Sequence, residues 1–262
     1  MFILIDLHSH ILPGVDDGSP DLKTSLKLAQ IAVNQGIDKM LLTPHHMDGK
    51  YINNKKSILA KTASFQSELN SHDIPLEVRA GQEVHLNGNL LTAIEQDNVL
   101  FADEQHHYMM LELPHNEVPE YTNDMVFELQ LKGITPVVVH PERNRGFQKS
   151  PDKLYELVDH GCLTQLTASS YLGGFGKKVQ KFTNDIIKAK LGFTFASDAH
   201  NLAGRNFKMK PAYDLLGKND YKLSMKYQQN AQSIWNGKSI QSFNISHINS
   251  KSRLENLIHR LF

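Results

Sequence analysis

The sequence predicts an α/β fold in which parallel strands close into a (β/α) barrel, and three observations predict it. Seven short apolar runs alternate with stretches of helical periodicity, the pattern of strand–helix–strand units. Side chains suited to chemistry fall almost entirely at the C-terminal ends of those runs, the end at which such barrels keep their active sites. No Pro-, Ser- or Gly-rich linker interrupts the 262 residues, a length that one large domain can fill. That domain is expected over residues 1–240, with a polar tail over 241–262.

Met1 to Leu7 reads as the first, buried strand, carrying Asp6-Leu7-His8-Ser9-His10 and leading to Asp16-Asp17-Gly18. Alternate residues of a strand share a face, so Asp6, His8 and His10 are expected to point one way. The two imidazoles then form a chelate, with Asp6 orienting a ring from behind. Ser19-Pro20-Asp21 has the form of a helix start with Ser as the cap; Leu22, Leu26, Ala29 and Val33 supply its apolar face, and Gly36 ends it. Lys39 to Thr43 is the second strand, stopped by Pro44 and followed by His45-His46. A polar helix from Asn54 to Ser71 leads to the third strand, Leu76 to Ala80, which ends in Gly81-Gln82-Glu83. Tyr108 to Leu113 is the fourth, with Glu112 near its end, and Asn123 to Lys132 is a helix closed by Gly133. Thr135 to His140 contains three consecutive valines, a strong strand signal, and runs into His140-Pro141-Glu142-Arg143. Ser150-Pro151-Asp152 repeats the earlier helix start, and Gly161 closes that helix. Leu163 to Thr167 and Phe193 to Ala196 are the sixth and seventh strands, the last followed by Ser197-Asp198-Ala199-His200. In the tail, Leu254, Leu257, Ile258 and Leu261 recur at helical spacing between Arg253 and Phe262.

Lys plus Arg equals Asp plus Glu at 28 each, so the chain lacks the electrostatic footprint of a nucleic-acid binder. No apolar run of about 18 residues is present for a membrane span, and no basic region precedes the short N-terminal apolar stretch. The protein is therefore expected in the cytoplasm. Cys162 is the single cysteine, which excludes an internal disulfide and a thiolate metal cluster.

Four carboxylates (Asp17, Glu83, Glu112, Asp198) and five imidazoles (His8, His10, His45, His140, His200) are more ligands than one metal ion can use. They suit two or three divalent ions, and oxygen–nitrogen ligation without sulfur fits Mn²⁺, Fe²⁺ or Zn²⁺ better than Ca²⁺ or Mg²⁺. Three ions would leave about two positive charges in excess, which favours a bridging hydroxide and an anionic substrate. Arg143 follows His140 by three residues, and a planar guanidinium matches two phosphate oxygens at once. Arg145 and His46 are near enough to assist and equally readable as solvated loop residues; Asp16 and Asp6 read as groups behind ligands. His72, His85, His106, His107, His115, His160, His247 and His259 read as structural or surface residues.

Five ordered motifs carry a family resemblance: Asp6 to Gly18, Thr43-Pro44-His45-His46, Gly81-Gln82-Glu83, His140 to Arg145, and Ser197 to Asn201. Over residues 1 to about 240 the chain resembles the PHP-superfamily (polymerase and histidinol phosphatase) tyrosine phosphatases of bacterial capsule and exopolysaccharide operons. The resemblance implies a distorted seven-stranded (β/α) barrel holding three metal ions, usually manganese. By position it implies one ion on His8, His10, Glu83 and Asp198, a second on Glu83, Glu112 and His140, and a third on Asp17, His45 and His200. The phosphate-contacting arginines of the family map onto Arg143 and Arg205.

The expected activity is hydrolysis of phosphotyrosine by in-line attack of a metal-bound hydroxide, with the metals and Arg143 stabilising charge on the phosphoryl oxygens. A phenol, with a pKa of about 10, leaves without a strong general acid. A thiol mechanism needs an arginine six residues past its cysteine; that position is Ala168, so Cys162 reads as a core residue. The nearest alternative is another PHP phosphoesterase, such as a histidinol-phosphate phosphatase. A scaffold that only binds a kinase would not need arginines beside a full ligand set. The implied partner is the phosphorylated tail of a membrane-anchored tyrosine kinase, which would bring the enzyme transiently to the inner face of the membrane. Lys50, Lys55 and Lys56 are either solvated or an electrostatic lure for that tail.

Overall fold

The computed structural model describes residues 3–248, so Met1, Phe2 and the apolar repeat over Arg253 to Phe262 lie outside the described residues. Nine strands follow in chain order: β1 (Leu4–Ser9), β2 (Ile37–Leu42), β3 (His45–His46), β4 (Glu77–Ala80), β5 (Glu83–His85), β6 (Tyr108–Glu112), β7 (Thr135–Val139), β8 (Leu163–Thr167) and β9 (Thr194–Ala196). Every pairing is parallel, in a three-stranded sheet of order β1-β2-β4 and a six-stranded sheet of order β3-β5-β6-β7-β8-β9.

The parallel α/β class is as expected, but the closed seven-stranded barrel is corrected: nine strands form two sheets that do not close into one. The chain itself supplies the reason. Two of the seven expected strands are each followed by a further short strand that joins the other sheet: β3 after Pro44, which has no N–H to give a ladder, and β5 after Gly81-Gln82. At the opposite edge the sheets meet through a bridge between Ser9 and Ala199. There the His10 N–H donates to the Ala199 carbonyl and the Asp198 N–H to the His8 carbonyl, both at 2.9 Å.

The helices begin where side chains satisfy the first free N–H groups. Leu22–Asn34 is capped by Asp21, which accepts from the Thr24 N–H at 2.8 Å, so the cap is two residues later than the expected Ser19. Ser19 instead donates its hydroxyl to the Asp21 carbonyl at 3.2 Å. The second Ser-Pro-Asp behaves differently: Asp152–Asp159 starts from Pro151 with no side-chain cap. Asn54 caps Lys55–Ser71 through the Ser57 N–H at 3.0 Å. Three helices absent from the sequence reading, Lys177–Lys188, Met209–Asn219 and Tyr221–Trp235, complete the outer layer around β8 and β9.

Leu7, Leu42, Val84, Leu111, Val138, Leu166 and Phe195, from β1, β2, β5, β6, β7, β8 and β9 in turn, are buried in the hydrophobic core. The first part of the tail packs on the end of the sheet away from the candidate site. Tyr108, at the start of β6, donates its hydroxyl to the Lys238 carbonyl at 2.7 Å; Phe243 lies 5.1 Å from Phe193, just before β9; and the Ser246 N–H reaches the Ala189 carbonyl at 3.0 Å.

Candidate active site

β1 delivers His8, and the next turn of chain delivers His10; both rings are fully buried. Each is oriented from behind. His8 Nδ1 donates to Gln165 Oε1 at 2.8 Å, and His10 Nδ1 donates to Asp16 Oδ2 at 2.7 Å. Both Nε2 atoms are thereby turned to one point, where they stand 3.0 Å apart. Two lone pairs at that distance repel unless a cation or a proton lies between them.

Glu83, fully buried on β5, is the hub. Its Oε2 lies 3.3 Å from His8 Nε2, 3.2 Å from His10 Nε2 and 3.0 Å from His45 Nδ1, while Oε1 lies 2.6 Å from His140 Nε2. Asp198 Oδ1 is 3.5 Å from Nε2 of both His8 and His10. Asp17 Oδ1 is 3.4 Å from Nε2 of His45 and of His200. Four groups of side chains have ligand atoms within 4.8 Å of one another: His10, Asp17, His45 and His200; His8, His10 and Asp198; His8, Glu83 and His140; and His45, Glu83 and Glu112. Among the described residues these groups contain the nine expected ligands and no others. The partition differs in detail from the expected one: Glu83 and Glu112 group with His45, and His140 groups with His8 and Glu83, although His140 Nε2 also lies 3.9 Å from Glu112 Oε1.

The residues present fit metal ions on a direct observation. Glu83 Oε2, Asp198 Oδ1, His45 Nδ1 and His200 Nε2 are buried without a hydrogen-bond partner, and all four belong to the ligand groups. Native interiors leave few such atoms, and four converging acceptors are satisfied together by cations. The protonation preferences agree. Burial works to raise Asp198, yet the charges of Arg143, His8 and Arg205 outweigh it and hold the carboxyl well below the usual range. Burial, with the charge of His10, pushes His200 down to about 4, leaving its ring neutral. Burial opposes charge on His10 as well, but Asp16 and Glu83 push it up to about 9, so a proton occupies the centre when no metal does. Two of the candidate ligands, His140 (φ 34°) and Asp198 (φ 52°), sit on left-handed backbone at the ends of β7 and β9. Such strain is typical of sites where the surrounding structure dictates a side-chain direction.

The arginines converge on one atom. Arg143 Nη1 and Arg205 Nη2 both donate to Asp198 Oδ2 at 2.7 Å, and the Nε of each is buried without a partner. Arg205 reaches the site because the His200 and Asn201 N–H groups both fold back onto its carbonyl. Beside this cluster a cavity of about 590 Å³ is lined by the half-buried His45, Glu112, His140, Arg143 and Arg205 and by the exposed His115, Arg145 and Lys178.

Several second-rank expectations are corrected. Asp6 does not orient His8: its Oδ1 accepts from the Ser197 N–H at 2.9 Å, tying β1 to the end of β9, and Gln165 takes the orienting role. β1 slips register against β2 between Asp6 and Ser9, so simple alternation fails there. His85 is not an uninvolved surface residue, since its Nδ1 lies 3.1 Å from Glu112 Oε2. A signal for it existed, because the residue two past Glu83 shares its strand face. His46 takes the opposite face of β3 from His45, and burial pushes it down to about 4. Asp16 is confirmed behind His10, and it also accepts from the Gly18 and His45 N–H groups. Lys55 is paired with Asp97, and Lys50 lies over the Tyr51 ring. Cys162 is buried, with its thiol pushed up to about 12 by burial, as a core residue should be.

Residues 4–237 match the family model described as capsular polysaccharide synthesis, CpsB/CapC. The chain is 39% identical to the tyrosine-protein phosphatase YwqE of Bacillus subtilis (strain 168) over 215 residues, 82% of this chain and 84% of the relative. It is 32% identical to the putative tyrosine-protein phosphatase CapC of Staphylococcus aureus over 237 residues, 90% and 91% of the two chains. Among solved structures it matches one from a crystallographic description of YwqE from Bacillus subtilis and CpsB from Streptococcus pneumoniae as unique metal-dependent tyrosine phosphatases. That match has a TM-score of 0.89 at 35% identity and covers 94% of this chain and 100% of the other. The phosphotriesterase homology protein of Escherichia coli shares the fold at a TM-score of 0.57 and 10% identity, over 90% and 98% of the two chains.

Proposed function

We propose, from the premise that this chain belongs to the CpsB/CapC family of capsular polysaccharide synthesis, that it is a metal-dependent protein-tyrosine phosphatase acting on the phosphorylated tail of a membrane-anchored tyrosine kinase. The observation that carries the reading is the set of buried, unpartnered ligand atoms on Glu83, Asp198, His45 and His200, with two arginines beside them. His8, His10, Glu83 and Asp198 would hold one ion, Glu83, Glu112 and His140 a second, and Asp17, His45 and His200 a third, with Mn²⁺ the preferred occupant. Ions bound there supply a nucleophilic water at neutral pH and positive charge opposite the phosphoryl oxygens.

The chain's own residues bind and orient the substrate. Asp198 fixes both guanidinium groups through Oδ2, leaving the unpartnered Nε donors of Arg143 and Arg205 for an anion. Phe175 stacks 5.0 Å from the Arg143 guanidinium and restricts its swing, and Tyr51 stacks on His45 at 6.2 Å. Held this way, Arg143 meets the phosphoryl oxygens without reorganising as charge builds on them. Among the described residues no helix is long and apolar enough to cross a membrane. A disordered tail comes to such a site at modest affinity, because ordering it opposes binding, and several phosphotyrosines can be turned over in succession.

The test is turnover of a phosphotyrosine peptide and of histidinol phosphate, side by side, before and after chelation and re-addition of Mn²⁺. Activity on the peptide should vanish with chelator and return with Mn²⁺, and Arg143→Ala should lose on the order of 10²-fold in kcat while keeping its metal. Full activity after chelation, or fast hydrolysis of histidinol phosphate alone, would overturn the proposal.

A further inference from the structure

Resting on the phosphotyrosine reading, we infer that the active-site cavity contains a second anion subsite. Arg145 and Lys178 form it, with Gln148 at its side, and it binds a carboxylate or phosphate that flanks the phosphotyrosine on the substrate chain.

The cavity is too large for the reacting group alone. At about 590 Å³ it has the size of a pocket for a drug-sized ligand, and only part of its lining is made of ligands and of the arginines on Asp198. The exposed part carries its own positive charge. Arg145 and Lys178 are exposed and line the same cavity, and among the described residues neither forms an ion pair or a side-chain hydrogen bond. Arg143 and Arg205, by contrast, are committed to Asp198. The positive field there registers on His115, which lines the cavity too: burial and then the charges of Arg145 and Arg143 hold its ring below the usual histidine range.

Two different segments build the subsite. Arg145 follows the short turn Pro141–Arg143 that positions the half-buried arginine, and its N–H is tied to the His115 carbonyl at 3.0 Å. Lys178 comes from the helix Lys177–Lys188, adjacent in sequence to the Phe175 that packs on Arg143. An anion on Arg145 and Lys178 is therefore registered against the same turn and the same helix that set Arg143. Lys50 and Lys55, in the stretch after β3, are poor candidates for this task, because Lys50 lies over the Tyr51 ring and Lys55 is held by Asp97. A substrate chain with two anionic groups matches the two sets of charge in the cavity: the phosphotyrosine against the metal ligands and half-buried arginines, the second anion on the exposed Arg145 and Lys178.

The experiment measures kcat/KM of the metal-loaded enzyme on three phosphotyrosine peptides of one length, with neutral flanks, with a glutamate flank, and with a second phosphotyrosine as the flank. The wild type should prefer the anionic flanks by about 3- to 10-fold, the range that two exposed ion pairs supply, and the preference should weaken at high salt. In R145A/K178A the ratio of anionic to neutral peptide should fall towards one through KM, with kcat on the anionic peptides kept. Lys178→Glu should turn the preference towards neutral flanks. A preference for the second phosphotyrosine over glutamate identifies the flank as a phosphate; equal preference identifies it as any anion, and both support the subsite. A wild-type ratio of one, or a ratio untouched by the substitutions, overturns it. Inactivity of the wild type on all three peptides would instead remove the phosphatase reading beneath it.

Discussion

Replacing Gln165 with methionine tests whether the imidazoles are aimed as a metal centre requires. Gln165 lies on β8 with no exposure, and its Oε1 accepts the His8 Nδ1 hydrogen at 2.8 Å. Methionine keeps the length and roughly the volume of the side chain and removes the acceptor. The backbone carbonyl of residue 165, which receives the His140 N–H at 2.8 Å, is left in place. Without the acceptor, His8 either leaves a buried N–H unpaired or exchanges tautomers and turns its hydrogen into the cluster. An unpaired buried donor costs about 1–3 kcal/mol, and loss of a ligand's orienting partner lowers metal affinity by about 10- to 100-fold; the two figures agree, since tenfold is about 1.4 kcal/mol. The assay is activity against free Mn²⁺ set by a chelator buffer. Gln165→Met should shift half-saturation by about 10- to 100-fold and recover most of the wild-type turnover once saturated, whereas Gln165→Glu, which keeps an acceptor oxygen, should bind metal at least as well as the wild type. A half-saturation point within about twofold of the wild type in a well-folded Met variant would refute the role given to Gln165.

Metal affinity should fall with pH. His10 and His45 are pushed up to about 9 and about 12 in the metal-free centre, where the neighbouring carboxylates outweigh burial, so each must release a proton when an ion binds. Each proton released weakens binding about tenfold per unit of acidification, and proton release into weak buffer on adding Mn²⁺ checks the sign. Gly18→Ala should be severely destabilising, by roughly 3 kcal/mol or more, because its Cβ would stand 2.0 Å from the His10 carbonyl oxygen and 2.6 Å from the His10 Cβ. Gly88→Ala, where nothing lies within 4 Å of the added atom, is the control; thermal melts of both proteins decide it.

The nine candidate ligands could be picked out because nearly all of them follow an apolar run, and the ends of parallel strands gather at one edge of the sheets. Glu83 and Asp198 needed no knowledge of which strands are neighbours. What fills the space behind the ligands was not legible in the same way. Gln165 sits inside a run that reads as a plain buried strand, and its meaning comes from the position of β8 behind His8, a contact across 157 residues. Asp6 obeyed the alternation rule in sequence and broke it in space, because β1 changes register beside it. The break at Pro44 could be foreseen from its missing N–H; the failure of the two sheets to close could not, since closure depends on how far β1 and β9 approach each other beyond Ser9 and Ala199. Helices over 177–188 and 209–235 escaped notice because many of their exposed positions are lysine and glutamine and their apolar stripes are narrow.

The edge at which the two sheets meet runs beneath the ligand cluster. His8 and His10 extend from the three-stranded sheet and Glu83, Glu112, His140 and Asp198 from the strands and strand ends of the six-stranded one, while the backbone crosses that edge through the hydrogen bonds of His10 and Asp198. Ions seated there tie one sheet to the other as rivets do, and anything that binds only the folded chain raises its resistance to opening. A cell starved of the metal would then lose more than catalysis. The stripped chain would part along this edge, proteases would clear it sooner, and the amount of enzyme would follow the nutrient through protein lifetime long after the reaction itself had stopped.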